Sequence, residues 1–263
     1  MTRIAIGLKY QGAAYCGWQK QANNDKTVQF EVERVLSKVA NQPVSVVCAG
    51  RTDAGVHATC QVIHFDTDAK RSDYSWMMGG NSELPDDVRI IWVKEISGEF
   101  HARFDALERT YKYYICNRKI HSPFITDTVT WHGVPLDEKR MQAAANHLIG
   151  THDFNAYRAS SCQAHSPIRT LKSLDVVRDG DFIVITVTAN AFLHHMIRNI
   201  AGVLMLIGEG KRDIDWSLEI LEGKDRTVSA KTARPKGLYL TNIVYDDRYN
   251  LPVTGSFGCV MPT

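Results

Sequence analysis

A short glycine-flanked loop contains the side chains that are most suited to catalysis. It runs from Ala49 to Ala58 and reads AGRTDAGVHA, with Asp53 at its centre. Predicted strands precede and follow it, and catalytic groups tend to lie on loops that a rigid sheet supports. A carboxylate in this position can act as a nucleophile or as a base. The alternative is structural, because an aspartate followed by Ala-Gly is also ordinary turn chemistry.

Two stretches contain basic residues without acidic neighbours. The first runs from 154 to 174 and the second from 189 to 207. Their basic and aromatic members include Arg158, Arg169, Lys172, Tyr157, His165, His194, His195 and Arg198. Such stretches suit an RNA partner, because Arg and Lys contact phosphates and aromatic rings stack on unpaired bases. The alternative is a solvated basic face of the protein.

The segment from 109 to 114 has the alternation of a strand. Tyr111 and Tyr113 therefore point to one face, and the side chains between them point to the other. Aromatic residues on strands most often pack in a core. Tyr111 has a functional role only if it faces the Asp53 loop.

The usual cofactor and metal motifs are missing from the sequence. Residues 208–211 lack the first glycine of a P-loop, and no GxGxxG, HExxH or GxSxG pattern occurs. Adjacent His194 and His195 would project about 100° apart from a helix, so they could not easily share one metal. We therefore predict no metal site.

The composition is that of a globular protein. Of the 263 residues, 44% are hydrophobic, which is enough for one large core or two ordinary ones. The formal net charge is only +2, so an RNA-binding surface must come from local clustering. The six cysteines have no metal-binding or disulfide spacing, which suits a reducing cytosol. No signal sequence is evident and no apolar run is long enough to cross a bilayer, so we predict a cytoplasmic protein.

The hydrophobic pattern repeats one order of elements twice. In the first half, strands are predicted near 3–10, 44–49, 60–66 and 88–95, with helices near 27–40 and 73–78. In the second half, strands are predicted near 110–116, 171–177, 182–189 and 238–245, with helices near 137–149 and 195–207. This order predicts an α+β fold of two ferredoxin-like (split βαβ) halves that share a central, mainly antiparallel sheet flanked by helices.

The predicted division of the chain follows Gly98, where the first set of elements ends. We assign residues 1–103 to an N-terminal half with the catalytic loop and residues 104–248 to a C-terminal half. Residues 249–263 contain no charged side chain and are predicted to be an irregular tail.

Several motifs resemble the tRNA pseudouridine synthase I (TruA-type) family. The loop at 49–58 looks like the active-site motif of that family, and it is a highly specific string. The resemblance continues through YQG at 10–12, GWQ at 17–19, TVQ at 27–29, LP at 84–85, FHAR at 100–103, RTY at 109–111, FLHHMIRN at 192–199, KDRT at 224–227 and GLYL at 237–240. Only the segment after Tyr245 lacks a clear counterpart.

The resemblance implies specific roles and partners. Asp53 corresponds to the catalytic aspartate of the family, Tyr111 to its active-site tyrosine, and Arg198 to the arginine that pairs with the aspartate. Arg51 corresponds to a residue that holds the flipped-out nucleotide, and Arg169 looks like a tRNA-contacting position. Together with the two basic stretches, the full set of side chains expected to bind the substrate is Arg51, Arg103, Arg109, Arg158, Arg169, Lys172, His194 and His195. Family members act as homodimers, without a cofactor, on uridines at positions 38 to 40 of the tRNA anticodon arm, and the same is expected here.

The chemistry leaves several alternatives open. Conversion of uridine to pseudouridine replaces the N1–C1′ bond by a C5–C1′ bond. The Asp53 carboxylate can attack C1′, remove the 2′ proton or add to C6, and the sequence does not distinguish these routes. Two other classes remain: an RNA-binding protein without catalysis, and a nucleoside hydrolase that uses Asp53 on a small substrate.

Overall fold

The computed structural model describes residues 1–21 and 25–252, in two compact units. The first unit contains residues 1–107 and the segment from 240 onward, and the second contains residues 108–239. Most of the predicted irregular tail, residues 253–263, lies outside the described residues.

The boundary between the units differs from the predicted one because two segments distant in sequence pack together. Leu107 N donates to Val244 O at 2.8 Å, and Tyr245 Oη donates to Ala102 O at 2.6 Å. These bonds place residues up to 107, together with residues 240–248, in the first unit. Tyr249, predicted to begin the tail, is buried there.

The first unit has the element order of a ferredoxin-like half. Its elements are β1 (Thr2–Tyr10), α1 (Val28–Ala40), β2 (Val47–Cys48), β3 (His57–Thr67), α2 (Asp73–Glu83) and β4 (Val88–Ile96). Strand β1 lies antiparallel to both β3 and β4, and β2 lies antiparallel to β3. The resulting strand order, β4-β1-β3-β2, is that of a split βαβ arrangement.

The second unit contains a similar antiparallel core with additional short elements. Its elements are β5 (Glu108–Cys116), β6 (Thr130–Trp131), α3 (Glu138–Asn146), β7 (Gly150–Asp153), β8 (Ile168–Asp179), β9 (Phe182–Ala189), α4 (Met196–Gly208) and α5 (Trp216–Gly223). Strand β9 pairs antiparallel with β5 and β8, β7 pairs antiparallel with β8, and β6 pairs parallel with β5. A final strand, β10 (Leu238–Val244), crosses the boundary between the units.

The predicted α+β class with mainly antiparallel strands is confirmed. Each predicted strand and helix has a counterpart, although the strand predicted at 44–49 is reduced to the two residues of β2. The helix predicted at 73–78 continues to Glu83. Strands β6 and β7 and helix α5 were not predicted, and the two strands are too short to show clear alternation.

Helix α4 is buried over most of its surface and passes very close to a neighbouring segment. A Cβ on Gly202 would lie 2.3 Å from Lys231 O, so only glycine fits at this crossing. The contact holds residues 230–234 against the first turns of the helix. Within residues 1–21 and 25–252, no helix combines the length and apolar character that a bilayer crossing requires.

Candidate active site

In the first unit, the Asp53 loop connects β2 to β3 and is held against the segment that follows β1. Trp18 N donates to Thr52 O at 3.0 Å, and Gly55 N donates to Tyr15 O at 3.3 Å. These bonds lie on either side of Asp53 and involve only backbone atoms. The loop is therefore positioned independently of most of its side chains.

Two glycines permit this close approach. Gly17 has a φ of 96°, in the left-handed region, and a Cβ there would lie 2.9 Å from Thr52 O. A Cβ on Gly12 would lie 1.9 Å from Val56 O, which is far inside van der Waals contact. Gly12 N also donates to His57 Nδ1 at 3.1 Å. Any side chain at position 12 would have to displace the end of the Asp53 loop.

Buried polar side chains also form hydrogen bonds with this loop. Tyr10 Oη lies 2.8 Å from Thr52 Oγ1, and Gln61 Nε2 donates to Gly50 O at 2.7 Å. The Asp53 side chain itself is half-buried. A carboxylate on a fixed loop with restricted access to water has the setting that a nucleophile or base requires.

Arg51, which belongs to this loop, and Arg103 both act electrostatically on Cys48. Burial raises the pKa of the Cys48 thiol to about 12, and the charges of both guanidinium groups act in the opposite direction. Both arginines are therefore within electrostatic range of Cys48, which closely precedes Asp53 in the chain. Both are also exposed. The first unit thus combines a half-buried carboxylate with two solvent-accessible cations.

In the second unit, β5 carries the two tyrosines that were predicted to share a face. Both are buried. Tyr113 Oη donates to Arg234 O at 2.8 Å and lies 2.7 Å from Thr130 Oγ1, and burial raises the pKa of Tyr113. The ring of Tyr111 packs edge-on against Phe192, with centroids 5.2 Å apart. Tyr113 is a core residue, so Tyr111 is the better candidate for contact with a substrate.

Arg198 lies in the first turn of α4 and is half-buried. Its Nε donates to Ala233 O at 2.9 Å, and its carbonyl oxygen accepts from Ala233 N at 3.1 Å. This reciprocal pair fixes the plane of the guanidinium relative to the backbone.

A buried polar network next to Arg198 was not predicted. Asn199 is fully buried, and its Oδ1 accepts from Thr232 Oγ1 at 2.7 Å and from Arg226 Nη2 at 3.0 Å. Its Nδ2 donates to Tyr157 O at 2.8 Å. The KDRT motif contains Arg226, and this was the signal in the sequence, but its spacing from Asn199 gave no reason to connect the two.

His194 and His195 precede α4 instead of forming part of it. His195 has a φ of 61°, in the left-handed region, and the helix begins at Met196. The centroids of the two imidazole rings are 4.0 Å apart. The predicted angle of about 100° between the two side chains was therefore wrong, because it assumed helical geometry at both positions. A non-glycine residue in the left-handed region often marks a functional site.

Two residues of the first basic stretch have partners that the local sequence does not show. Lys172 forms an ion pair with Glu108, so a stretch without acids in the sequence still has an acidic neighbour in space. Tyr157 is fully buried and its hydroxyl donates to Ser217 O at 2.9 Å. Its ring is therefore unavailable for stacking on a base, contrary to the interpretation of this stretch as supplying two exposed rings.

The other arginines predicted to bind tRNA differ in how many hydrogen bonds their guanidinium groups form within the protein. Arg169 Nη1 donates to two carbonyls of its own segment, at 2.6 and 3.0 Å, and burial lowers the pKa of Arg169. Arg109 Nη1 donates to Asn190 O at 2.9 Å. The Arg158 guanidinium has no hydrogen bond or ion pair with residues 1–21 or 25–252, and it is half-exposed. Arg158 is accordingly the member of this group that is most accessible to a phosphate.

The chain has relatives over nearly its whole length. Residues 7–105 and 144–246 match the family described as tRNA pseudouridine synthase. A protein of Coxiella burnetii named tRNA pseudouridine synthase A is 50% identical over 252 residues, which cover 96% of each chain. Proteins with the same name are 51% identical in Methylococcus capsulatus, over 95% of this chain and 92% of the relative, and 49% identical in Pseudomonas aeruginosa, over 96% and 88%. Among solved structures, a chain of a Cbf5-Nop10-Gar1 complex aligns with 90% of this chain and 48% of its own length, at 13% identity and a TM-score of 0.37.

These matches define the class of the protein as the pseudouridine synthases, which are isomerases. The chain belongs to the tRNA pseudouridine synthase family, since the family match covers more than half of it and the relatives are about 50% identical over 96% of it. The resemblance stated from the motifs is thereby confirmed, and so is the prediction that the protein is an enzyme.

Proposed function

We propose that this chain converts uridine to pseudouridine at positions 38 to 40 in the anticodon arm of tRNA, with Asp53 as the catalytic carboxylate. The observation that carries the proposal is the construction of the Asp53 loop, which backbone hydrogen bonds hold on both sides of a half-buried aspartate. Membership of the family supports the reaction and the class of substrate.

The reaction balances without an external reagent. The bond between uracil N1 and ribose C1′ breaks, the base turns in place, and C5 forms a new bond to C1′. C5 then loses its proton and N1 gains one, so neither an oxidant nor a reductant is consumed. The Asp53 carboxylate can attack C1′, remove the 2′ proton or add to C6, and each route requires the ionised form.

We assign to Arg198 the task of keeping Asp53 ionised. A pocket that excludes water disfavours a charged carboxylate, and a fixed cation offsets this effect. A guanidinium stays protonated and can form a bidentate pair with a carboxylate, which a lysine does less rigidly. The bond from Arg198 Nε to Ala233 O supports this role, because it sets the orientation of the remaining guanidinium nitrogens.

The target nucleotide must leave its stack before it can react, which costs a few kcal/mol. We assign Tyr111 to stacking on the extruded uracil and Arg51 to the space that the base vacates. The exposure of Arg51 suits that role. We also assign to Tyr111 assistance in removing the C5 proton, although a phenol has an ordinary pKa of about 10.

The other predicted contacts would bind the tRNA backbone. They are Arg103, Arg109, Arg158, Arg169, Lys172, His194 and His195. Among Arg109, Arg158 and Arg169, only Arg158 has a guanidinium without a hydrogen bond or ion pair to residues 1–21 and 25–252, whereas Lys172 is already paired with Glu108. We further propose that the enzyme acts as a homodimer in the cytoplasm, without a metal or a cofactor.

The decisive variant is Asp53→Asn, with Asp86→Asn as an exposed control in the same unit. Release of tritium from tRNA labelled at uracil C5 measures the reaction. We expect Asp53→Asn to lose activity by roughly 10⁴-fold or more, as other enzymes do without their nucleophile, and to keep its fold and its tRNA affinity. Substantial release from Asp53→Asn would contradict the assignment.

The same assay separates the alternatives. Free uracil among the products would indicate a hydrolase instead of an isomerase, and conversion of free uridine would argue against tRNA as the substrate. Mapping of pseudouridine in the treated tRNA gives the modified positions.

A further inference from the structure

Phe104 is an exposed aromatic residue in the first unit that the proposed chemistry does not use. Its side chain is 75% exposed. It follows Arg103 in the turn that links the first unit to β5, and it was not singled out in the sequence. Single exposed apolar residues are common, so its meaning depends on how it is held and on what surrounds it.

The turn that presents Phe104 is held by a set of hydrogen bonds. His101 N donates to Asp105 Oδ2 at 2.8 Å, and Asp105 N donates to His101 O at 3.0 Å. His101 Nδ1 accepts from the backbone amides of both Arg103 and Phe104, each at 3.2 Å. Tyr249 Oη donates to Asp105 Oδ2 at 2.7 Å. The backbone of Phe104 is therefore fixed before any ligand binds, which lowers the entropic cost of binding through its ring.

One face of the Phe104 ring is already occupied by another ring. His101 stacks on it with a centroid separation of 4.2 Å and an interplanar angle of 26°. The guanidinium carbon of Arg103 lies 5.7 Å from the Phe104 centroid. Even with these two contacts, three quarters of the Phe104 side chain remains exposed to solvent. A planar group placed on the exposed part of the ring would extend the stack in the offset geometry that aromatic rings prefer.

The charges near this stack match a nucleic acid. Arg103 lies over the Phe104 ring, and the charges of Arg103 and Arg51 both act on the Cys48 thiol. Proteins bind unpaired nucleotides by stacking the base on an aromatic ring and placing a basic side chain at the phosphate. A double-stranded segment cannot use the ring in this way, because its bases are stacked on one another.

We propose that Phe104 and His101 form a stacking platform for one unpaired base of the RNA substrate, with Arg103 at the adjoining phosphate. The inference rests on the proposed function only in taking RNA as the substrate, and it adds a subsite for a nucleotide other than the one that reacts. Because every base offers a planar face, the subsite selects an unpaired loop and does not select a particular base.

Phe124 provides a matched control. It is 93% exposed and lies in a short 3-10 helix of the second unit, Pro123–Ile125. Among the described residues, no ring stacks on it and no cation lies over it. Phe104→Trp and Phe124→Trp each place an indole in solvent, and difference spectra against the wild type remove the emission of the five native tryptophans.

We expect an unmodified tRNA transcript and a single-stranded oligouridine to quench the indole introduced by Phe104→Trp. A blunt RNA duplex should leave it unchanged, and none of the three should quench the indole introduced by Phe124→Trp. Quenching by the duplex as strongly as by the single strand would overturn the proposal. So would an emission change that follows protein concentration alone, since it would indicate a contact with another copy of the chain.

Affinity measurements separate stacking from simple apolar contact. Stacking is worth roughly 1 to 3 kcal/mol per base, so we expect Phe104→Ala to weaken tRNA binding by about 5- to 150-fold without changing the salt dependence. Phe104→Tyr should bind like the wild type, and Phe104→Leu should bind as weakly as Phe104→Ala. Arg103→Ala should instead reduce the slope of log Kd against log salt by about one.

Full affinity in Phe104→Leu would overturn the proposal. If the wild type does not convert tRNA while RNA still quenches the indole of Phe104→Trp, the proposed function is refuted and the stacking platform is supported.

Discussion

The Asp53 loop and the Arg198 turn are held in place by different kinds of contact. Around Asp53, backbone atoms bond to backbone atoms, and glycines at positions 12 and 17 allow two chain segments to touch. Around Arg198, a buried network of side chains centred on Asn199 joins the helix to the segments that contain Arg226 and Thr232.

Different kinds of substitution should therefore disrupt the two arrangements. Backbone bonds tolerate most changes of side chain, but an added Cβ at a point of contact displaces the whole loop. A buried side-chain network tolerates small shifts of the backbone, but loss of one polar partner leaves the others buried and unpaired.

The largest effect beyond that of Asp53→Asn is expected from Gly12→Ala. The new Cβ must push Val56 away, and a displacement of about 1 Å at a catalytic group costs roughly 100-fold in rate. Overpacking should also lower the free energy of unfolding by about 1 to 3 kcal/mol. Single-turnover conversion and urea unfolding measure the two effects. Gly98→Ala is the control, since a Cβ there meets nothing within 4 Å. Wild-type rates in Gly12→Ala would show that the close approach does not position Asp53.

The next largest effect is expected from Asn199→Ala. It removes the acceptor of Arg226 and Thr232 and the donor to Tyr157 O, which should lower the free energy of unfolding by about 1 to 3 kcal/mol. If the network positions Arg198, kcat should fall by roughly 10-fold, a loss equivalent to about 1.4 kcal/mol, with little change in KM.

A double-mutant cycle with Arg226→Ala tests whether the network acts as a unit. In the Asn199→Ala background, Arg226→Ala should add little to the loss of stability or of kcat, because the bond between them is already gone. Fully additive effects would contradict the idea that these residues act together on Arg198.

A smaller predicted effect is the pH dependence of stability. It is expected to differ between the two units, because a buried histidine in each has different charged neighbours. Burial lowers the pKa of His64 in the first unit to about 4, and the charge of Arg3 acts in the same direction. His64 Nδ1 accepts from Ala102 N at 3.1 Å, which requires the neutral ring. In the second unit, burial also lowers the pKa of His132, but Glu209, 3.1 Å away, opposes the shift.

The expected pH dependence follows from the direction of the His64 shift. The unfolded chain protonates this residue near its ordinary pKa of about 6.5, whereas the folded chain does so only near 4. The contribution of neutral His64 to the free energy of unfolding is therefore complete above pH 6.5 and is lost as the pH falls towards 4. Urea unfolding across this range should show a shallower decline for His64→Asn, which cannot titrate. An unchanged pH profile in His64→Asn would refute this account.

The smallest effect is expected from the basic residues of the second unit. Arg158→Ala should reduce the slope of log Kd for tRNA against log salt by about one, the value for one lost phosphate contact. Lys172→Ala should change the slope less, because Glu108 already pairs with the ammonium group. Filter binding over a range of salt gives both slopes. A larger change for Lys172→Ala would show that the ion pair opens when RNA binds.

The part of the structure that was predicted from sequence has a local physical origin. The alternation in residues 3–10 and the apolar stripe in residues 27–40 both specified elements that the structure contains as β1 and α1. Side-chain direction repeats every two residues in a strand and every 3.6 in a helix, so these patterns are visible in a short window. The motif around Asp53 likewise sufficed to identify the family, because its residues are adjacent in the chain.

The errors and omissions arise where distant segments meet. The pairing of Lys172 with Glu108, the burial of Tyr157 and the geometry of His195 each depend on neighbours outside any short window. The same holds for Phe104, whose exposure and stacking on His101 become apparent only in the folded turn.

The amino-acid sequence by itself determined the order of most of the strands and helices, the class of the enzyme and the identity of the aspartate proposed to act in it. Tertiary structure alone decided which glycines hold that aspartate in place, which polar groups surround Asn199 next to Arg198, and which cations remain accessible to phosphate. The reason is that secondary-structure periodicity acts over a few residues, whereas burial and charge pairing depend on distances in space between segments that lie far apart in the chain.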